Sequence, residues 1–201
     1  MGLLSTIIER VSDNPVLFIF FRGILENDFK AIRKVIREEL VTGQGLRTLD
    51  LGCGPGAFAD VFDGDDFVGA DLNERYVEHA RRHRKGTFIV SDARQVDLPD
   101  DRFDQVLIFG MLHHLSDEDV RAVLGEVTRL LVPGGKALLI EDIPAMSKLN
   151  LIGHLIHNVE QGEHIRSVEE YQPLYREFGT IENDRVLKSG ICDYYLAVLK
   201  P

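Results

Sequence analysis

The turn Asp50-Leu51-Gly52-Cys53-Gly54-Pro55-Gly56 constrains this chain more than any other feature, and the segment Leu46 to Leu51, which reads as a short strand, runs into it. Its three glycines let the backbone leave a strand sharply and come close to a ligand, since no Cβ stands in the way. In open α/β sheets such turns sit at the carboxyl ends of parallel strands, so the chain around it is expected to supply more strands and the helices that connect them.

The remaining pattern meets that demand. Ahead of the turn, Ile24, Leu25, Phe29, Ile32, Val35, Ile36 and Leu40 recur at helical spacing, which predicts one amphipathic helix over 24–40 that ends at Thr42-Gly43-Gln44-Gly45. After a short helical stretch near 57–62, strands are expected at 67–71, 87–90, 103–109 and 136–140. Helices are expected at 74–84, capped by Asn73, and at 117–131, broken by Pro133-Gly134-Gly135. Strands alternating with helices imply a parallel sheet covered on both faces. The runs 180–188 and 191–199 differ, because only Ser189-Gly190 separates them, enough for a hairpin but not a crossover. The expected fold is therefore α/β: a Rossmann-like, doubly wound, mainly parallel seven-stranded sheet with a C-terminal antiparallel hairpin.

Length and composition narrow the function classes. A chain of 201 residues, 44% hydrophobic, suits a single domain. Its expected divisions are a helical lid or cap at 1–45, a cofactor-binding core at 46–143, a substrate-side insertion at 144–179 and the hairpin at 180–201. A formal net charge of −10 disfavours a nucleic-acid partner at long range. The basic run Arg81-Arg82-His83-Arg84-Lys85 closes a predicted helix, where cations complement the carbonyl end of the dipole. Cys53 and Cys192 have no zinc-like spacing, so a reduced, cytoplasmic setting is expected. The apolar run 16–21 is far shorter than the roughly 20 residues a bilayer requires. Its charged approach and the lack of a small-residue cleavage site argue against a signal peptide.

The glycine turn alone leaves the cofactor open. Gly52-x-Gly54-x-x-Ala57 satisfies a dinucleotide fingerprint, and Asp71 stands about 20 residues further on, where a ribose-binding acid belongs for either cofactor. Asp50 tilts the balance, since an acid beside the turn opposes a pyrophosphate and attracts a cationic group.

The turn resembles the D-x-G-x-G-x-G motif of class I S-adenosylmethionine-dependent methyltransferases, of the small-molecule type. The resemblance runs over roughly 46–199: an acid ends the second strand, an acid follows the third, Phe103-Asp104 opens the fourth, and Pro133-Gly134-Gly135 precedes the fifth. It implies S-adenosyl-L-methionine as cofactor, with S-adenosyl-L-homocysteine as product. It places Gly52, Cys53, Gly54 and Gly56 along the cofactor, Asp50 toward its amino group, Asp71 and Leu72 at the ribose, Asp92 and Ala93 at the adenine, and Gly110 and Met111 near the methionyl part. Asp92 capping a turn is the competing reading.

His113 and His114 follow the fourth strand at the carboxyl edge of the sheet, and either could serve as a general base near neutral pH. Packing or orienting is the alternative, since transfer from a sulfonium needs mainly in-line alignment. His154 and His157 share a helical spacing, but no carboxylate or thiolate partner is evident, so no metal is expected. An apolar lid would suit a hydrophobic acceptor, a dimer interface or a shallow membrane contact equally.

The leading expectation is methyl transfer to an oxygen, nitrogen or carbon nucleophile of a small organic molecule, by a monomer or homodimer. The rivals are methylation of RNA or protein, a non-catalytic S-adenosylmethionine-binding protein, and, last, a nicotinamide dehydrogenase.

Overall fold

A computed structural model describes residues 14–146 and 164–201. Seven strands form one sheet in the order β3-β2-β1-β4-β5-β7-β6: β1 Arg47–Leu51, β2 Asp66–Asp71, β3 Thr87–Val90, β4 Phe103–Phe109, β5 Leu131–Asp142, β6 Thr180–Ser189 and β7 Cys192–Lys200. The pairs among β1 to β5 are parallel, and β7 is antiparallel to both neighbours, β5 and β6. The expected hairpin is present, and β7 inserts between β5 and β6 in the sheet.

Strand residues alternate between two cores, which makes the sheet doubly wound. On one face Val106, Ile108, Leu139 and Tyr195 meet helix α4, Asp117–Leu130, and helix α5, Val168–Arg176. On the other, Leu107, Leu138, Ile140 and Leu196 meet helix α2, Lys30–Glu39, helix α3, Glu74–His83, and the 3₁₀ turn Ala59–Phe62. Asn73 caps α3 as expected, its side chain accepting from Arg75 N and Tyr76 N, and Arg81, Arg82 and His83 occupy the last turn.

Two expectations are corrected. The single helix over 24–40 is two helices, α1 at Pro15–Leu25 and α2, separated by Asn27, Asp28 and Phe29 with φ of 53°, 57° and 53°. Left-handed backbone is tolerated by Asn and Asp but costly for a bulky side chain. Phe29 is held there because its ring is buried edge-to-face against Phe58 at 5.5 Å and Phe109 at 6.0 Å. Asn14 and Pro15 supply the cap and first residue of α1, a start signal the apolar periodicity obscured. The second correction is β5, which begins at Leu131 and runs through Pro133-Gly134-Gly135. Phe103 faces Leu131 while Gln105 faces Lys136, so the tripeptide bulges out of the ladder without ending the strand.

The β6–β7 turn also reaches α1. Ile191 N donates to Leu25 O at 3.2 Å and Ser189 Oγ to Glu26 O at 3.2 Å, and a side chain at Gly190 would collide with the Leu25 carbonyl.

Candidate active site

The carboxyl ends of β1, β2 and β4 open into a cavity of about 750 Å³, within the range typical of small-molecule sites, about 300–1,000 Å³. Asp50, Gly52, Cys53, Gly54, Asp71, Leu72, Asp92, Ala93, Gly110, Met111, His113 and His114 all line it. Gly56 does not. Its φ is +75°, and a Cβ there would press on Arg84, Ala80 and Phe88, so it lets the turn pack against α3 and β3.

Gly52 has φ +80°, and a Cβ would lie 2.7 Å from Met111 Sδ, which brings the first turn and the loop after β4 into contact. Asp71 ties the turn to β2: its Oδ2 accepts from Gly54 N at 2.7 Å and its Oδ1 from Asn73 N at 2.8 Å. Each oxygen keeps acceptor capacity for a further donor. Burial raises the Asp71 pKa, and these two N–H groups oppose that rise.

Asp50 is 1% exposed, and among the described residues no donor reaches its Oδ2. Burial, and then the charge of Asp71, push its pKa up to about 8. A buried carboxyl in this state is matched by a cationic ligand group, which would restore its ionised form. The Cys53 thiol is likewise pushed up by burial and then by Asp50 and Asp71, so it lies far from a reactive thiolate.

Asp92 has both ligand-facing and local roles open to it. It lines the cavity, yet its carboxylate accepts from Arg94 N at 2.9 Å and Arg94 Nη2 at 2.7 Å, and the pair holds its pKa below the usual range. The turn-capping reading thus describes its side chain here. Arg94 in turn reaches Asp119 at 2.8 Å.

The two histidines differ. His113 is buried, with Nδ1 3.0 Å from Glu141 Oε2 and 3.7 Å from Asp142 Oδ2. His114 is exposed at the cavity edge, and the two rings lie 4.0 Å apart. A Cβ on Gly110, which has φ +60°, would stand 3.8 Å from Asp142 Oδ2, 3.8 Å from His113 Cε1 and 3.9 Å from Arg22 Nη2. Polar groups from β5, the post-β4 loop and α1 therefore converge over Gly110. Arg22 pairs with buried Glu26 at 2.7 Å and donates to Tyr194 Oη at 3.2 Å.

Apolar side chains complete the lining: Phe21 and Leu25 of α1, Phe29, Phe58 and Phe109. Sequence reasoning missed Glu141, Asp142, Arg22 and Tyr76. Glu141-Asp142 ends an apolar strand much as Asp71 ends β2, and that parallel could have exposed it. Arg22 sits in an apolar helix and carries no comparable signal. His154 and His157 lie outside the described residues. Among the described residues no helix is long and apolar enough to cross a membrane, and no group of three or more His, Cys, Asp or Glu could hold a metal ion.

Residues 48–135 match the family described as a methyltransferase domain. Over 91 residues, 45% of this chain and 39% of the relative, the sequence is 37% identical to a tRNA (carboxymethyluridine(34)-5-O)-methyltransferase of Schizosaccharomyces pombe. Over 99 residues, 46% of this chain and 39% of the relative, it is 37% identical to a ubiquinone biosynthesis O-methyltransferase of Cereibacter sphaeroides. The chain thus spans well under half the length of these relatives. A solved structure of a SAM-dependent methyltransferase from Aquifex aeolicus shares the fold, with TM-score 0.68 and 20% identity over 98% of both chains.

Proposed function

We propose that the chain is an S-adenosylmethionine-dependent class I methyltransferase, a reading supported by the match of residues 48–135 to a methyltransferase domain, and that it methylates an oxygen, nitrogen or carbon nucleophile of a small organic acceptor. The observation that carries this reading is the pairing of buried Asp50 with Asp71 at a glycine turn, in a cavity that aromatic side chains also line.

The residues fit the cofactor's chemistry. The ammonium group suits Asp50, whose Oδ2 no described residue satisfies. The ribose hydroxyls suit the remaining acceptor capacity of Asp71, Gly52 and Gly54 leave room along the backbone, and Ala93, the residue expected at the adenine, lines the same cavity. Bound, S-adenosylmethionine supplies an electrophilic methyl group on a sulfonium. The protein's part is alignment of the acceptor and exclusion of water. Phe21, Leu25, Phe29 and Phe109 hold an apolar acceptor, and His113, the buried one of the pair, takes a proton from it where the nucleophile carries one.

Methylation of RNA is a second reading, favoured by the similarity to a tRNA methyltransferase. The acidic net charge that counted against nucleic acid does not outweigh that similarity. The test begins with isothermal titration of the purified chain with S-adenosylmethionine and S-adenosylhomocysteine. It continues with transfer of a labelled methyl group to phenols, amines, acidic carbon acids and bulk tRNA. Low-micromolar binding with label in a small molecule supports the proposal; label in tRNA alone selects the second reading, and no binding of either ligand to folded protein removes both.

A further inference from the structure

The loop after β4 contains Met111 and His113, and it is gripped from both sides. Glu141, fully buried at the end of β5, takes its amides: Oε1 accepts from Met111 N at 3.0 Å and Leu112 N at 2.9 Å, and Oε2 from His113 N at 3.3 Å. The same Oε2 lies 3.0 Å from His113 Nδ1. Arg166 takes the loop's carbonyls, with Nη1 donating to Leu112 O at 3.1 Å and Nη2 to Leu115 O at 2.7 Å. Asp117 anchors that guanidinium at 2.7 Å. His164 N donates to His113 O at 3.0 Å.

We infer that Glu141 is a positioning residue for the transfer reaction: it fixes His113 as the Nδ1–H tautomer and sets Met111 against Gly52, which binds acceptor-side and cofactor-side geometry to one carboxylate. Four donors already converge on its two oxygens, so Glu141 orients and does not itself exchange a proton with the acceptor. The neutral ring then carries its lone pair on Nε2, the nitrogen that can accept a proton. Among the described residues, Glu141 and Asp142 on β5, Arg22 on α1 and the neighbouring His114 stand near the ring. This inference rests on the methyl-transfer reading for what His113 does, but the tautomer can be measured without any turnover.

The deciding variant is Glu141→Gln. An amide has one acceptor oxygen, and Met111 N and Leu112 N both require it on the Oε1 side. The NH₂ group must then face His113 N–H and Nδ1, which makes Nδ1 an acceptor and moves the ring proton to Nε2. Long-range ¹H–¹⁵N spectra of the labelled full chain, at a pH where the ring is neutral, should show the Nδ1–H form in the wild type and the Nε2–H form in Glu141→Gln. Arg166→Lys, which loosens the carbonyl side only, should keep the Nδ1–H form. A wild-type Nε2–H ring, an unchanged tautomer in folded Glu141→Gln, or a switch in Arg166→Lys would each overturn the assignment. If Glu141→Gln does not fold, the wild-type tautomer and Arg166→Lys still decide. Failure of the chain to bind S-adenosylhomocysteine would remove the proposed function without touching this result.

Discussion

Replacing Asp50 by asparagine should make the ligand-free protein more stable and its cofactor binding weaker. In the folded chain the Asp50 carboxyl titrates at about 8, against 3.8 for the ordinary group. Between those values the folded state holds a proton that the unfolded chain has released, so stability falls as pH rises through this window. At 1.36 kcal/mol per pH unit the full loss is about 5–6 kcal/mol, an upper figure set by complete burial. The carboxamide of Asp50→Asn carries no such proton, so the variant's stability should lack this slope and exceed that of the wild type near pH 8, by urea titration at pH 5, 6.5 and 8. Binding should move the other way. A charge-assisted contact is worth roughly 1.5–3 kcal/mol, so affinity for S-adenosylmethionine should fall about 10- to 100-fold. Calorimetry in buffers of different ionisation enthalpy adds a further test: at pH 7 the wild type should release close to one proton on binding, as the ligand ammonium draws Asp50 into its charged form, and Asp50→Asn should release none. Unchanged affinity, with no proton release from the wild type, would refute the placement of a cationic group beside Asp50.

Three further outcomes are expected. Asp71→Ala removes the acceptors of Gly54 N and Asn73 N along with any ribose contact, so calorimetry should show cofactor affinity down at least tenfold and thermal melting should show the turn destabilised, by about 1–3 kcal/mol. Gly52→Ala places a Cβ against Met111 Sδ on left-handed backbone; S-adenosylhomocysteine binding should weaken severalfold while the far-UV spectrum stays unchanged. Phe29→Ala loses the edge-to-face contacts with Phe58 and Phe109, and urea unfolding should show a cost of about 3–5 kcal/mol. A cost below about 1 kcal/mol would mean that packing does not hold the break between α1 and α2.

Legibility in the sequence followed the range of the interactions concerned. The parallel strands, α3 with its Asn73 cap, α4 and the closing hairpin are written in local periodicity and turn chemistry, which depend on residues within one or two turns of each other. The cavity-lining set around Asp50, Asp71, Asp92 and Gly110 was equally legible, because each stands at the end of a strand and the parallel topology brings those ends to one edge. Gly56, expected along the cofactor, does not line the cavity, and only the packing of Ala80 and Phe88 against it shows which way it faces.

The break at Asn27-Asp28-Phe29 was invisible for the same reason. Helical spacing continues across it, and what stops the helix is a ring buried against Phe58 and Phe109, about 30 and 80 residues away in the chain. The bulge at Pro133-Gly134-Gly135 depends on β4 as a partner, and the grip of Glu141 and Arg166 on the post-β4 loop depends on β5 and the approach to α5. By itself the sequence determined the sheet, its order of elements and the edge at which the cavity opens, since those follow from short-range pattern and strand polarity. Only the tertiary structure decided which histidine is buried, which carboxylate meets it and which apolar side chains line the cavity, because those depend on side chains brought together from distant elements.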